Sequence, residues 1–207
     1  MNLDLAVALL TVGLLITAAL VNAYKIAKHQ VEATLSSWLI FSASTSISFL
    51  SYLASSNKNF IAGALNGGDV TLDLIVIPSI LFFGINRWKL KSFEKYYLFG
   101  IVLVCLFWLL TSDAFTSNLF IQGLLTIAYF PTYHTIIKFK RNTESFVVWG
   151  LILAASVVSM YLAVNSWQSS GDILSLVYSL RSIVLITVLM LLMFIYKSTQ
   201  VANLRHE

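Results

Sequence analysis

Seven apolar runs, at about residues 4–24, 34–54, 70–86, 95–111, 116–137, 145–165 and 172–196, constrain this chain more than any other feature of its sequence. A helix needs about 20 apolar residues to cross the hydrocarbon of a bilayer, and runs from about 17 suffice. A water-soluble domain of this size has no use for seven of them. The composition agrees: 58% of the residues are hydrophobic and 11% charged, against roughly 25% charged in soluble domains. The backbone of a lipid-embedded segment must satisfy its own polar groups, which leaves helices or closed barrels. The runs lack the alternation of barrel strands. The fold class expected is therefore an all-α polytopic membrane protein with seven transmembrane helices.

The basic residues orient it. Lys25 and Lys28, then Arg87, Lys89, Lys91 and Lys95, then Lys138, Lys140 and Arg141, and finally Lys197 and Arg205 all fall on one side of the expected spans. Lys58 alone falls on the other, and Arg181 lies within the seventh span. Lys and Arg accumulate in cytoplasmic loops, so the N-terminus is expected outside and the C-terminus in the cytoplasm. The same bias explains the net charge of +4 without a nucleic-acid partner. The segment from Arg87 to Lys95 is expected to rest on anionic headgroups. Met1-Asn-Leu-Asp4 carries no basic stretch ahead of the first run, so that run reads as a permanent span rather than a signal peptide. Short loops point to a bacterial inner membrane. The single cysteine, Cys105, lies within an apolar run and can form no intrachain disulfide.

An internal repeat subdivides the chain. Trp38 and Trp149, 111 residues apart, each open an even-numbered span after a Lys-containing loop. Tyr24 and Tyr133, 109 apart, stand at the inner ends of spans 1 and 5, and Gly68-Asp69 and Gly171-Asp172, 103 apart, open spans 3 and 7. Shared order and sidedness give a 3+1+3 plan: a first triple-helix bundle at 1–90, a linker helix at 91–113, a second triple-helix bundle at 114–198 and a cytoplasmic tail at 199–207. An odd linker makes the two triplets parallel repeats about an axis along the membrane normal.

Phe130 to Trp149 holds Pro131-Thr132, Lys138, Lys140, Ser145 and Trp149, and Asn22-Ala23, Lys25, Lys28, Ser36, Ser37 and Trp38 take the same places in the first half. With the seven-helix plan, these resemble the PQ-loop superfamily, which includes the SWEET sugar transporters. The Gln of that motif is absent from both halves and the proline from the first. The resemblance implies a small-solute transporter that works by alternating access, with the third helix of each triplet lining a shared cavity and prolines acting as hinges.

Ionisable groups within a span mark functional positions by default. Asp73 and Arg181 are the two, expected to pair as an outer gate, or with Arg181 receiving an anionic group of the solute. Ser48, Tyr52 and Tyr178 complete the expected solute site. Pro131 and Pro78 are expected to interrupt spans 5 and 3 as hinges. Trp38 and Trp149 read as an inner gate or as part of an aromatic belt. Asn118 and Gln122 could face an outer vestibule, and Asn22 and Asn86 cap inner span ends. His29 and His134 border the inner loops, where solvation is their ordinary state.

Motifs of metalloproteases, P-loop enzymes and serine hydrolases are missing. Asn66-Gly-Gly-Asp69 departs from the Gly-x-Gly-Asp of intramembrane aspartyl proteases, and no second motif supplies a partner carboxylate. Residues 172–196 hold no lysine for a retinal Schiff base. No enzyme, cofactor or metal is expected. The partners expected are the bilayer and a sugar-like or metabolite-sized polar solute, moved by uniport since carboxylates within the spans are few. Homo-oligomerisation stays open. The alternative is a non-transporting seven-helix sensor or a membrane assembly subunit on the same scaffold.

Overall fold

A computed structural model describes residues 3–31, 33, 35–84, 92–140, 142 and 144–203. Asn86, Arg87, Lys89, Lys91, Arg141 and Arg205, and the side chains of Ser36, Ser37 and Lys197, lie outside that description. Eight helices run through the described residues: α1 Leu3–Ala27, α2 Leu35–Ala54, α3 Ala64–Phe83, α4 Ser92–Thr111, α5 Ala114–Ile127, α6 Phe130–Phe139, α7 Phe146–Ser170 and α8 Ile173–Asn203. Four are long and apolar enough to cross a membrane: Leu3–Ala27, Ala64–Phe83, Phe146–Ser170 and the Ile173–Tyr196 part of α8. Their outer faces carry exposed Leu, Phe and Val side chains along their length, among them Leu9, Leu20, Leu74, Phe82, Val157, Leu191 and Phe194. Such faces suit lipid. The chain is an integral membrane protein.

The helix ends follow local rules. Asp113 caps α5 by accepting from Thr116 N at 3.0 Å, and Ser145 caps α7 by accepting from Val148 N. Gly171, at φ 72°, closes α7 in the left-handed region that favours glycine. His29 and Lys140 take the same left-handed geometry just after α1 and α6. They are 111 residues apart, the spacing of Trp38 and Trp149.

Three outcomes differ from the spans read in sequence. α3 starts at Ala64 rather than near residue 70. Asn66-Gly67-Gly68-Asp69 had the composition of a loop, but here the glycines permit close packing within a helix. A Cβ on Gly68 would run into Leu15 Cδ1 of α1, and one on Gly67 would lie 3.2 Å from the Phe49 ring of α2. The fifth span is broken into α5 and α6 at residues 128 and 129. Pro131 lacks the N–H that Ile127 O would otherwise bond, while Ala128 and Tyr129 keep right-handed geometry, so the break is a local interruption of the bonding rather than a turn of the chain. Pro78, in contrast, lies on the exposed face of an unbroken α3. The expected interruption there does not occur.

Six helices form a closed ring. α1 packs on α3 and α7, α2 on α3 and α5, and α8 on α7 and α5, with α6 also against α8. α4 lies outside the ring against α2 and α5, and α3 and α8 face each other across its middle. The main apolar core joins Leu15, Ala18 and Ala19 of α1 to Val76 and Ile80 of α3, Ala155 of α7 and Ile186 of α8. A second cluster sets α4 (Tyr97, Ile101, Val104) against Ile40 and Ile121.

Candidate functional site

The interior is not uniformly apolar. Polar side chains of α2, α3, α5 and α8 converge in the middle of the ring, where the expected solute-site residues fall into connected groups. Ser48 of α2 is the hub of the first. Its Oγ accepts from Asn66 Nδ2 at 3.1 Å and from Gln122 Nε2 at 2.9 Å, and its carbonyl accepts from Asn118 Nδ2 at 2.7 Å. Asn118 also donates to Ser51 Oγ at 2.9 Å, and Gln122 to Asn118 Oδ1 at 3.0 Å. Spaced four residues apart, Asn118 and Gln122 share one face of α5. That face meets α2 instead of opening to a vestibule.

Tyr52, 2% exposed, lies near the start of α3. Its hydroxyl is 2.7 Å from both Asp172 Oδ2 and Asn59 O, and accepts from Asn59 N at 2.9 Å. The one O–H hydrogen serves either acceptor. Asp172 also takes Ser166 Oγ at 3.2 Å and caps the start of α8 through Ser175 N at 3.3 Å. Tyr178 of α8 donates to Asp69 Oδ2 of α3 at 2.6 Å. Asp69 and Asp172 are the aspartates of the two Gly-Asp pairs. Each accepts a tyrosine hydroxyl from the opposite half of the chain.

Arg181 follows one turn after Tyr178, with its guanidinium carbon 4.5 Å from the centre of the Tyr178 ring. A cation over an aromatic face gains about 0.5–2 kcal/mol depending on desolvation. Its Nε and Nη1 are buried and have no hydrogen-bond partner. Asp73 is fully buried; Oδ2 accepts from Thr45 Oγ1 at 2.6 Å and Oδ1 has no partner. The expected Asp73–Arg181 pair is therefore not made. Thr45 holds the carboxylate on α2, and the Tyr178 ring holds the guanidinium on α8.

Between α3 and α8 lies a cavity of about 10 Å³, lined by Asn66, Tyr52, Tyr178, Ser175 and Ser179 with apolar neighbours. That is room for about one water molecule. Ser156 and Ser159 of α7 bond Ser182 and Ser179 of α8 at 2.8 and 3.1 Å, so the hydroxyls on that side close a helix seam.

Toward the other end, Trp149 donates Nε1 to Glu144 Oε2 at 3.0 Å, and its ring packs against that of Tyr129, centres 5.9 Å apart and planes tilted by 53°. Burial raises the Glu144 carboxyl above its ordinary value, and the Trp149 N–H offsets part of that rise. Trp38 packs edge-on to Phe41 at 6.3 Å beside the main core. Both tryptophans serve helix packing here. At the α5 cap, the bonds from Thr116 hold the Asp113 carboxyl below the usual range.

Sequence reading missed Asp69 and Asp172 as site residues. It took Gly-Asp as a boundary mark, although the repeat of that pair was a signal that both positions do the same work. It also missed the amide cluster, which the i, i+4 spacing of Asn118 and Gln122 could have revealed. Comparison with protein-family models, with curated proteins and with solved structures finds no match.

Proposed function

We propose that this chain is a small-solute membrane transporter that works by alternating access, on a parallel 3+1+3 scaffold with its N-terminus outside, in a bacterial inner membrane. The observation that carries the reading is a guanidinium, that of Arg181, whose buried Nε and Nη1 meet no protein acceptor, next to Tyr178, which lines a small cavity between α3 and α8. Placing an ionisable group at such depth costs at least about 2.5 kcal/mol on insertion scales. A purely structural role would call for a bonded partner.

The ring of helices supports the repeat. Exchanging α1 with the α5–α6 pair, α2 with α7 and α3 with α8 converts the α1–α3, α2–α3 and α1–α7 pairings into α5–α8, α7–α8 and α2–α5. The two Tyr–Asp bonds, Tyr52–Asp172 and Tyr178–Asp69, then act as matching latches between the halves at the outer end. This arrangement is similar to the plan of the PQ-loop and SWEET transporters. A cavity with room for one water describes a closed form, which solute enters only after the halves part.

The test has two arms. Purified full-length protein in detergent is screened for thermal stabilisation by a panel of sugars, amino acids, organic acids and phosphates. Any stabilising solute is then offered to proteoliposomes. Saturable uptake that Arg181→Ala abolishes is the expected result. The small size of the cavity favours a second reading, a sensor that binds without moving solute, and stabilisation with no flux would establish it over transport. Undiminished uptake by Arg181→Ala would remove Arg181 from the site.

A further inference from the structure

Among the described residues, the buried side-chain polar atoms with no protein partner are Asn66 Oδ1, Asp73 Oδ1, Gln122 Oε1, and Arg181 Nε and Nη1. They belong to α3, α5 and α8, and they form two kinds. Three are acceptors, one of them on a carboxyl group. The other two, on one cation, carry three of the five guanidinium hydrogens. An unmet polar group in a buried site costs about 1–3 kcal/mol, and more when charged. The protein leaves both kinds to a non-protein partner.

Their placement relates them. α3 and α8 begin at the same end of the molecule, since Leu65, Asn66, Leu174 and Ser175 line one cavity. The Tyr178–Asp69 bond marks a common level farther along the two helices. Asp73 lies four residues beyond that level on α3 and Arg181 three beyond it on α8, which is about 6 Å and about 4.5 Å at helical rise. A carboxyl group and a guanidinium thus stand at similar depth on facing helices, each held on its own side by Thr45 or Tyr178.

Building on the transport reading, we propose that the solute is a small zwitterion of the amino-acid type, with its carboxylate on Arg181 and its ammonium on Asp73. The alternatives each leave a charge unmet. A neutral sugar gives the guanidinium no anion. A simple anion would answer Arg181 but sit beside two aspartates, Asp69 and Asp73, on the same face of α3. A simple cation would answer Asp73 and meet the positive charge of Arg181. A zwitterion carries opposite charges on two groups attached to one carbon and brings each to its counterpart, with charge-assisted hydrogen bonds that are about twice as strong as neutral ones. The amide oxygens of Asn66 and Gln122 are further acceptors for the donor end or for water that accompanies it.

The experiment follows thermal unfolding of the purified full chain in detergent at neutral pH, titrated with L-alanine, propionate, ethylamine, inorganic phosphate and glucose. Alanine is expected to stabilise saturably, with propionate and ethylamine each needing at least about tenfold higher concentration. Arg181→Gln and Asp73→Asn are each expected to raise the alanine requirement by at least about tenfold. If either variant fails to fold, the five-probe comparison on the unaltered protein decides by itself. Propionate or phosphate equal to alanine would overturn the proposal in favour of a simple anion, ethylamine equal to alanine in favour of a cation, and stabilisation by glucose in favour of a neutral solute. No response to any probe would leave those atoms to water and overturn it as well. Alanine binding without uptake would overturn transport and leave the zwitterion site standing. Glucose uptake that survives Asp73→Asn would do the reverse.

Discussion

Two seams close the ring between the first and second halves of the chain, and they are built from opposite materials. Where α1 meets α7, buried Ala8, Leu15, Ala18 and Ala19 lie with Ile152, Ala155, Leu162 and Ala163, and side-chain hydroxyls bond within their own helix, as Thr11 does to Val7 O at 2.9 Å. Where α2 meets α5, Ser48 and Ser51 receive the amides of Asn118 and Gln122. Small apolar residues let two helices approach closely and hold them by dispersion alone. Amides and hydroxyls at a seam can exchange partners, with each other or with water, as two elements slide. The first seam is closed by packing, and the second by hydrogen bonds that have other partners open to them.

Two changes would break or sharpen that contrast, and a third tests a group outside it. Ala155→Leu inserts three carbons into a fully buried position of the tight seam, and overpacking of this kind costs about 1–3 kcal/mol. Unfolding in a graded detergent series should show the larger loss of stability here. Asn118→Ala removes two hydrogen bonds from the polar seam; in membrane bundles each interhelical bond averages about 0.6 kcal/mol, so a total near 1 kcal/mol is expected. A cost above that of Ala155→Leu would reverse the ranking of the seams. The smallest effect concerns Glu144, away from both. Its folded-state pKa is raised by burial, so the folded chain holds this proton more tightly than the unfolded one. Its penalty is absent below the unfolded value of 4.5 and grows as pH rises through the folded value. Glu144→Gln should therefore gain stability relative to the parent on going from pH 4 to pH 8, read as the difference in Tm. A pH-independent difference would mean that the carboxyl is solvated.

Much of the architecture was legible because burial in lipid is written in composition. A run such as Leu5 to Leu20 has no other stable environment, and Pro131 forecast its own break through the N–H it lacks. Asn66 to Asp69 was not legible. Two glycines in a polar setting signal a turn locally, and only the packing against Leu15 and Phe49 makes them helix. The site was half legible for the same reason. Charge within a span picks out Asp73 and Arg181, but which groups they face depends on the rotation of α3 and α8, which no spacing along one helix determines. The Tyr178 ring and the Thr45 hydroxyl decided that.

The break before Pro131 divides one apolar run of the sequence between two neighbours. α5 is joined to α2 by its amides, whereas α6 is tied to α8, with Tyr133 donating its hydroxyl to Leu185 O at 2.6 Å. Mechanically this stretch is two short helices, one packed on α2 and the other on α8. A displacement of α8 against α2 would fall on Ala128 and Tyr129, and α6 would carry it to its own basic end at Lys138 and Lys140.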